Sequence, residues 1–357
     1  ILLINLTFGL ILLALIGVSP ELNNRRFITI TGFKSPYFKF SVLLAGLIFI
    51  MLAVTTVTSQ FISGRIANNI NTSSNQSDAP FPVINTKTET PIVNSSLTVK
   101  TQVNNNLGQV PHSNVYNVNT TRVQIQHNKA IYVSDLDFTG NYFTYRTNGA
   151  ATPGYFTTDA DSKSAKPTFI KIKMIYTPNA YLGKNATRRL TAALPFGYSM
   201  DKAEFEIDNQ DHPYYVSTFT KHYGLWSAKQ YSHYKYGVLD AVTGKVNVYT
   251  NATLPKWVDV AVDAQTAEES LSLWGKYRNG WLNQSIFGSK SNIFKGTSAG
   301  VLGNDKTLTP IVYKGTLYYY SSLSSYKKNQ KSILGHAFIN ARTGKIYHYT
   351  ESCSLMT

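Results

Sequence analysis

The chain has 357 residues, 43% of them hydrophobic and 13% aromatic, which is enough apolar material for two or three folded units. Its net charge of +15 is not gathered into the Lys- and Arg-rich run that marks a nucleic-acid-binding site, so we predict no nucleic-acid partner. The single cysteine, Cys353, excludes an intramolecular disulfide framework and a CxxC site within this sequence. Its thiol is either free or a small buried side chain.

Two apolar segments open the chain, and each is long enough to cross a membrane as a helix. Residues 1–18 contain only two polar side chains, and residues 40–64 contain no charged one. A cleaved signal peptide is the alternative for the first segment. Because a second apolar segment follows closely and the chain opens inside an apolar run, we predict a truncated transmembrane helix over 1–18 and a complete one over 40–64.

The loop between these segments predicts their orientation. Residues 19–39 carry four basic side chains, Arg25, Arg26, Lys34 and Lys39, against one glutamate. Short loops rich in Lys and Arg stay in the cytoplasm, so the second helix leads outward. We therefore predict a cytoplasmic loop at 19–39, a cell-membrane location and an extracellular C-terminal domain.

The segment after the second helix has the composition of a linker. Residues 65–90 are mostly small and polar and include two prolines, so they bury too little apolar surface to order themselves and predict a disordered stalk. An exported chain without disulfides is typical of a Gram-positive bacterium. A cationic domain outside such a cell would lie near anionic wall polymer or lipid head groups.

One short sequence occurs twice in the C-terminal part of the chain. "YGVLDAVTGKVNVYT" at 236–250 is matched without a gap by "FINARTGKIYHYT" at 338–350. In each copy an Asp or Asn can accept a backbone N–H and a Gly can supply the positive φ that closes a hairpin loop. The predicted turn residues are Asp240, Thr243 and Gly244 in the first copy and Asn340, Thr343 and Gly344 in the second.

An aromatic strand precedes each turn. These strands are "HPYYVSTF" at 212–219 and "GTLYYYSSL" at 315–323, and a fainter copy spans 128–161. The 24 tyrosines of the chain, with its many β-branched residues, favour such strands.

Two helices are predicted ahead of strands. "DAQTAEESLSLWGKYRNGW" offers a capping box from Thr266 to Glu269 and an apolar face, and "NSSLTVKTQVNNNLG" at 94–108 ends at a glycine. One unit is therefore a helix packed on an antiparallel sheet, and the fold class is α+β.

The pattern "HPYYV" followed by "VLDAVTGKV" resembles the PepSY domain, a small α+β module of exported bacterial proteins, and "FINARTGKI" matches it less well. With "YTPNAYLG", "FEIDNQDHPYYV" and "LWGKYRNGW", it also resembles a poorly characterised family of large Gram-positive membrane proteins with a PepSY-like ectodomain. The resemblance implies three units, a degenerate one over 91–200, a second over 201–256 and a truncated third over 257–357.

We predict a non-catalytic role, because a scaffold motif is repeated here without a repeated reactive group. The resemblance implies in addition that PepSY modules are associated with restraining peptidases or with envelope regulation. We predict no catalytic, cofactor-binding or metal-binding residue, and a partner that is an envelope protein or peptide, or anionic wall polymer. The candidate binding aromatics are Tyr214, Tyr215, Trp226, Trp274 and Trp281, which could line a groove but are also typical of core packing.

The alternative to a binding role is an envelope hydrolase. Glu204, Glu206 and Asp208 alternate along a predicted strand, so they share one face, and two carboxylates are what glycoside hydrolysis requires. The other interpretation of this face is that it is simply solvated. A third possibility is binding of wall polymer through net charge alone.

Overall fold

The structure is a computed structural model that describes residues 36–75, 91–223, 228–284, 288–297, 308–326 and 333–349. The predicted first span at 1–18, most of the loop at 19–39, Trp226 and Cys353 lie outside the described residues. The chain divides into two compact units, Ile1–Ile62 and Ser63–Thr357.

The described part of the first unit is a single apolar helix, α1 (Pro36–Asn69), whose final turns belong to the second unit. Its segment Val42–Asn69 is long and apolar enough to cross a membrane, as predicted for 40–64. Large apolar side chains are exposed on it: Val42, Leu43, Leu47, Phe49, Ile50, Met51, Val54 and Val57.

Polar groups in the middle of α1 are satisfied within the helix. Thr55 and Thr56 donate their hydroxyls to the carbonyl of Leu52, at 2.9 and 2.8 Å, and Thr58 donates to Val54. Hydroxyls bonded to the preceding turn need no water, which is what a hydrocarbon environment demands.

The predicted stalk is ordered over its first residues, which corrects the prediction for 65–90. Helix α1 continues to Asn69, and strand β1 (Thr72–Asn75) pairs in parallel with the strand Ile346–Tyr349. Ile346 also donates its N–H to the carbonyl of Asn71, at 3.0 Å. A sheet edge bonds the backbone of an added strand whatever its side chains, so composition does not reveal this pairing. Residues 76–90 lie outside the described part of the chain.

The first sheet of the larger unit is an antiparallel meander under a helix. Its elements are α2 (Ser96–Asn105), β2 (Tyr116–Gln126), β3 (Lys129–Phe138), α3 (Tyr142–Thr147), β4 (Thr152–Asp159) and β5 (Thr168–Met174), with strand order β2-β3-β4-β5. Ser95 caps α2 by accepting the N–H of Thr98, and Val99 and Val103 are fully buried. The helix ends three residues before the predicted stop at Gly108.

The second sheet again follows a helix. Its elements are α4 (Ala186–Ala192), β6 (Tyr198–Met200), β7 (Glu204–Ile207), β8 (Pro213–Tyr223), β9 (Ala228–Asp240) and β10 (Val246–Tyr249). The order is β10-β9-β8, and the two short strands β6 and β7 share the far edge of β8. The helix and β6 lie before residue 201, so this sheet begins inside the segment assigned to the first predicted unit.

The third sheet has the same plan. Its elements are α5 (Ala264–Tyr277), α6 (Trp281–Gln284), β11 (Phe294–Thr297), β12 (Thr309–Tyr313), β13 (Thr316–Ser325), β14 (Ile333–Asn340) and β15 (Ile346–Tyr349). The order is β15-β14-β13, β11 and β12 share the far edge of β13, and β1 extends the sheet beyond β15.

The cap of α5 differs from the predicted one. Asp263 accepts the N–H groups of Gln265 and Thr266, at 2.8 and 3.0 Å, so the helix starts earlier than the predicted capping box at Thr266 and Glu269. The predicted apolar face is correct, because Leu271 and Trp274 are buried.

The first repeated turn closes as its residue types predict. The Oδ1 atom of Asp240 accepts the N–H groups of Val242 and Thr243, at 2.8 and 2.9 Å. The N–H of Gly244, at φ 76°, donates to the Asp240 carbonyl, and the N–H of Lys245 donates to the Thr243 hydroxyl.

The second turn has the same bonds. Oδ1 of Asn340 accepts from Arg342 and Thr343, both at 2.9 Å, Gly344 has φ 72°, and Lys345 donates to the Thr343 hydroxyl. Asp and Asn interchange here because the bonds that close the turn use only the acceptor oxygen of the side chain.

We expect Gly244→Ala to lower the free energy of unfolding by about 2 kcal/mol, since alanine is strained at positive φ and its Cβ would overlap the Tyr176 ring. Gly108→Ala is the matched control, because the site is exposed and a Cβ there meets nothing within 4 Å; its change should stay within about 0.5 kcal/mol. Urea unfolding of the Ser63–Thr357 unit measures both. Equal effects at the two glycines would contradict the account of the turn.

Candidate functional site

A cavity of about 350 Å³ lies where elements of the three sheets meet. We call it the junction cavity and define it by the charged residues Lys100, Arg122, Lys202, Glu204 and Asp263 in its wall. Lys100 lies on α2, Arg122 on β2 and Glu204 on β7, while Asp263 caps α5. Strands β12 and β13 contribute Pro310, Leu317 and Tyr319.

A bulge in β2 shapes the wall next to Arg122. The pairing register with β3 shifts between Val118 and Thr121. The carboxylate of Asp135, fully buried on β3, accepts the N–H and hydroxyl of Thr120, at 2.8 and 2.7 Å, and the side-chain amide of Asn119. The bulge is therefore held by a buried acid rather than by ladder bonds.

Arg122 is a largely buried charged group of the site whose hydrogen-bonding capacity is little used. Its side chain is only 12% exposed. Its guanidinium nitrogens lie 3.7 Å from a Glu204 oxygen and 3.9 Å from a Glu206 oxygen. Among the described residues it donates no hydrogen bond, and its buried Nη1 has no acceptor. Buried guanidinium groups normally use several of their five donors, so this one is poised for a further acceptor.

Glu206 lies behind this wall and is fully buried, so the solvated-face interpretation of the acidic strand is wrong for it. Its two oxygens accept the N–H groups of Asp259 and Val260, both at 3.2 Å. Burial raises the pKa of Glu206 to about 8, although nearby Arg122 opposes the rise. The alternating sequence correctly predicted that Glu204 and Glu206 share one face of β7. It did not predict that this face is covered by other parts of the protein.

The neighbouring acids of the strand have different surroundings. Glu204 is 20% exposed in the cavity wall, and burial raises its pKa against the opposing effect of Arg122. Asp208 is buried in the turn after β7, where it accepts the N–H groups of Gln210 and His212, at 2.8 and 2.9 Å. Asp208 is therefore a turn residue.

Buried acids that the sequence analysis missed lie on β3 and before α5. Burial raises the pKa of Asp137 to about 7, with a further rise from Asp135, while bonds from Thr177 and Asn179 oppose it. Burial also raises the pKa of Asp259 to about 7. The available signal was "IYVSDLDF", in which two acids interrupt an otherwise apolar strand.

The predicted binding aromatics are not brought together, and none of the described ones lines the junction cavity. Tyr215 is fully buried and donates its hydroxyl to Asp135, at 3.0 Å, and Trp274 is buried on the inner face of α5, so both are core residues rather than groove residues. Tyr214 is partly exposed and stacks on Trp257 at 4.5 Å. Trp281 is partly exposed in α6.

Within the described ranges, no group of three or more His, Cys, Asp and Glu side chains could hold a metal ion. No family model, curated protein or solved structure matches this chain. The PepSY resemblance therefore rests on the sequence motifs alone and stays a prediction.

The raised pKa of Glu206 makes stability depend on pH. Between its ordinary pKa of 4.5 and about 8, the folded protein retains a proton that the unfolded chain has lost, so the free energy of unfolding falls as pH rises. From pH 5 to 8.5 the free energy of unfolding of the natural protein should fall by an amount on the order of 3 kcal/mol because of this group. We expect Glu206→Gln to remove that fall. Urea unfolding at several pH values measures this.

The exposed residue Glu268 provides the control, because Glu268→Gln should leave the pH dependence of stability unchanged. Asp137 and Asp259 contribute a loss of the same sign, so some dependence persists in Glu206→Gln. A variant curve parallel to that of the natural protein would contradict the assignment.

Proposed function

We propose that the chain is a membrane-anchored, extracellular binding protein of a Gram-positive cell envelope, built from PepSY-like α+β units, and that its partner enters the junction cavity. The observation that carries this proposal is the buried Arg122 guanidinium, which lines the cavity and donates no hydrogen bond within the described structure. Desolvating such a group is unfavourable unless an acceptor meets it, and a bound partner can supply one.

The outward orientation rests on the N-terminal part of the sequence. Helix α1 leaves many large apolar side chains exposed, and exposed apolar surface of this extent is typical of a membrane or protein contact. The Lys- and Arg-rich loop at 19–39 favours the cytoplasm, which directs the Ser63–Thr357 unit to the opposite side.

The carboxylates at the cavity favour binding over hydrolysis. Glycoside hydrolysis requires two accessible carboxyl groups, one on each side of the scissile bond. Glu206 has no exposed surface, and both oxygens of Asp263 accept bonds from residues of α5. Among the described residues, Glu204 is the wall carboxylate that lacks such bonds.

The hydrolase remains the rival proposal because Glu204 reaches the cavity and burial raises its pKa, as expected of a general acid. Charge-driven binding of wall polymer is the other rival, supported by the net charge of +12 that the chain carries after residue 39. Release of wall sugar that disappears in Glu204→Gln would favour the hydrolase. Partner binding that is lost in 0.5 M salt would favour the polymer.

Cross-linking in intact cells tests both the orientation and the site. In a Cys353→Ser background, Leu97→Cys places a thiol at the cavity and Phe196→Cys places one away from it; both native side chains are exposed. We expect a membrane-impermeant, photoactivatable thiol reagent to label both variants, and light to give a discrete protein adduct only from position 97.

Two results would contradict the proposal. Failure of the reagent to label either thiol in intact cells, with labelling after lysis, would place the Ser63–Thr357 unit inside the cell. Equal adducts from the two positions, or none from position 97, would show that the junction cavity is not where a partner is held.

A further inference from the structure

We propose that the junction cavity binds the free C-terminal carboxylate of a peptide whose last residue is apolar, with the carboxylate against the Arg122 guanidinium. This inference rests on the proposed binding function and names the chemistry of the partner. It follows from the unused donors of Arg122, the charge balance of the wall, the apolar part of its lining and its opening to solvent.

The unused donors call for an oxyanion. The two carboxylates near Arg122 lie at 3.7 and 3.9 Å, which is ion-pair distance but too long for hydrogen bonds. Guanidinium groups bind carboxylates through two parallel N–H bonds at about 2.8 Å. A ligand carboxylate can therefore make bonds that neither Glu204 nor Glu206 makes.

The charge balance of the wall suits a single negative charge. Lys100, Arg122 and Lys202 are positive, and Glu204 and Asp263 are negative, which leaves one net positive charge. Lys202 also lies 3.9 Å from Glu204 and so offsets part of the charge of that acid. A dianion such as phosphate would exceed this single positive charge and be repelled by Glu204 and Asp263. A carboxylate carries one negative charge, which neutralises the net charge of the wall.

The rest of the lining has polar residues, among them Asn119, Thr120 and Thr121, and an apolar part. Val123, Val260, Leu308, Pro310 and Leu317 contribute to the wall. A volume of about 350 Å³ is at the small end of ligand sites and suits one or two residues. A ligand with an apolar side chain next to its carboxylate gains binding free energy by burying that side chain against these apolar residues. A bare inorganic anion gains none.

The cavity opens to solvent beside two exposed lining residues. Leu97 on α2 is 57% exposed, and the side chain of Lys202 is 62% exposed. A chain end can enter at this side while the remainder of the peptide stays outside. This opening favours a peptide terminus over a ligand that must be enclosed completely.

Glu204 occupies the position of a competitor in this arrangement. Its carboxylate is the closest anion to Arg122, and among the described residues its only ion-pair partners are Arg122 and Lys202. An incoming carboxylate must displace it or tolerate its charge. Replacing Glu204 by glutamine should therefore strengthen ligand binding, whereas a merely structural role predicts no gain.

The test uses calorimetric titration of the full chain in detergent micelles. The probes are N-acetyl-alanyl-leucine, the corresponding C-terminal amide, decanoate and inorganic phosphate. We expect the peptide acid to bind at least tenfold more tightly than the amide and than either other probe. Glu204→Gln should tighten binding of the acid at least threefold, and Arg122→Gln should abolish it.

Arg188→Gln is the matched control, because Arg188 is exposed on α4 and does not line the cavity; it should bind the acid with unchanged affinity. If Arg122→Gln does not fold, the Glu204→Gln variant decides alone. Equal affinity for acid and amide, no binding of the acid, or no gain in Glu204→Gln would overturn the proposal. Decanoate or phosphate binding as tightly as the peptide acid would also overturn it.

The two proposals can fail separately. If position 97 gives a protein adduct in cells but the peptide acid does not bind, the proposed binding function stands. The proposal that the ligand is a C-terminal carboxylate is then wrong. If the adduct is absent but the acid binds tightly, the proposal of a protein partner is wrong. The proposal that the cavity binds a carboxylate through Arg122 then stands.

Discussion

The arrangement of the three sheets depends on a buried polar seam between β2 and β7. Gln124 on β2 donates to the carbonyl of Ile207 and accepts its N–H, at 3.0 Å for the latter. Two residues earlier on β2, the Arg122 guanidinium lies beside Glu204 and Glu206 of β7. The oxygens of Glu206 in turn accept the N–H groups of Asp259 and Val260, in the segment that leads to α5. Because buried polar groups must be paired, this seam fixes the register between the first two sheets and the segment before the third. The junction cavity, with its incompletely bonded Arg122, is a consequence of that geometry.

The repeated turns fasten the segments that join one sheet to the next. The carbonyl of Ala241, inside the first turn, accepts the N–H groups of Ile175 and Tyr176, both at 2.9 Å, on the segment entering the second sheet. The carbonyl of Ala341 accepts the N–H of Val262, at 2.8 Å, on the segment entering the third. Each glycine lies against an aromatic ring, Tyr176 at Gly244 and Tyr234 at Gly344, which leaves no room for a side chain. The same short sequence therefore recurs because the same fastening is needed twice.

The sequence predicted what depends on local chemistry and missed what depends on contacts between sheets. The two turns were predictable because Asp or Asn, Thr and Gly act within six residues of one another. The burial of the acids of β7 was not predictable, because alternation along a strand shows which side chains share a face. It does not show whether another strand covers that face. The contact between Arg122 and Glu204 was not predictable either. The two residues lie 82 positions apart, and a single arginine forms no sequence pattern that indicates its partner. Tyr215 and Trp274 were candidates for a groove because an aromatic strand or helix face has the same spacing in a core as on a surface.

A crystal structure of the chain with N-acetyl-alanyl-leucine bound would test most directly whether Arg122 is available to a ligand. We predict a carboxylate oxygen at about 2.8 Å from Nη1 of Arg122, the leucine side chain against the apolar part of the lining, and Glu204 turned away from the guanidinium. A guanidinium hydrogen-bonded to Glu204 and Glu206, with no peptide in the junction cavity, would contradict it. The seam would then be a structural ion cluster, and the function of the chain would have to be sought at another surface.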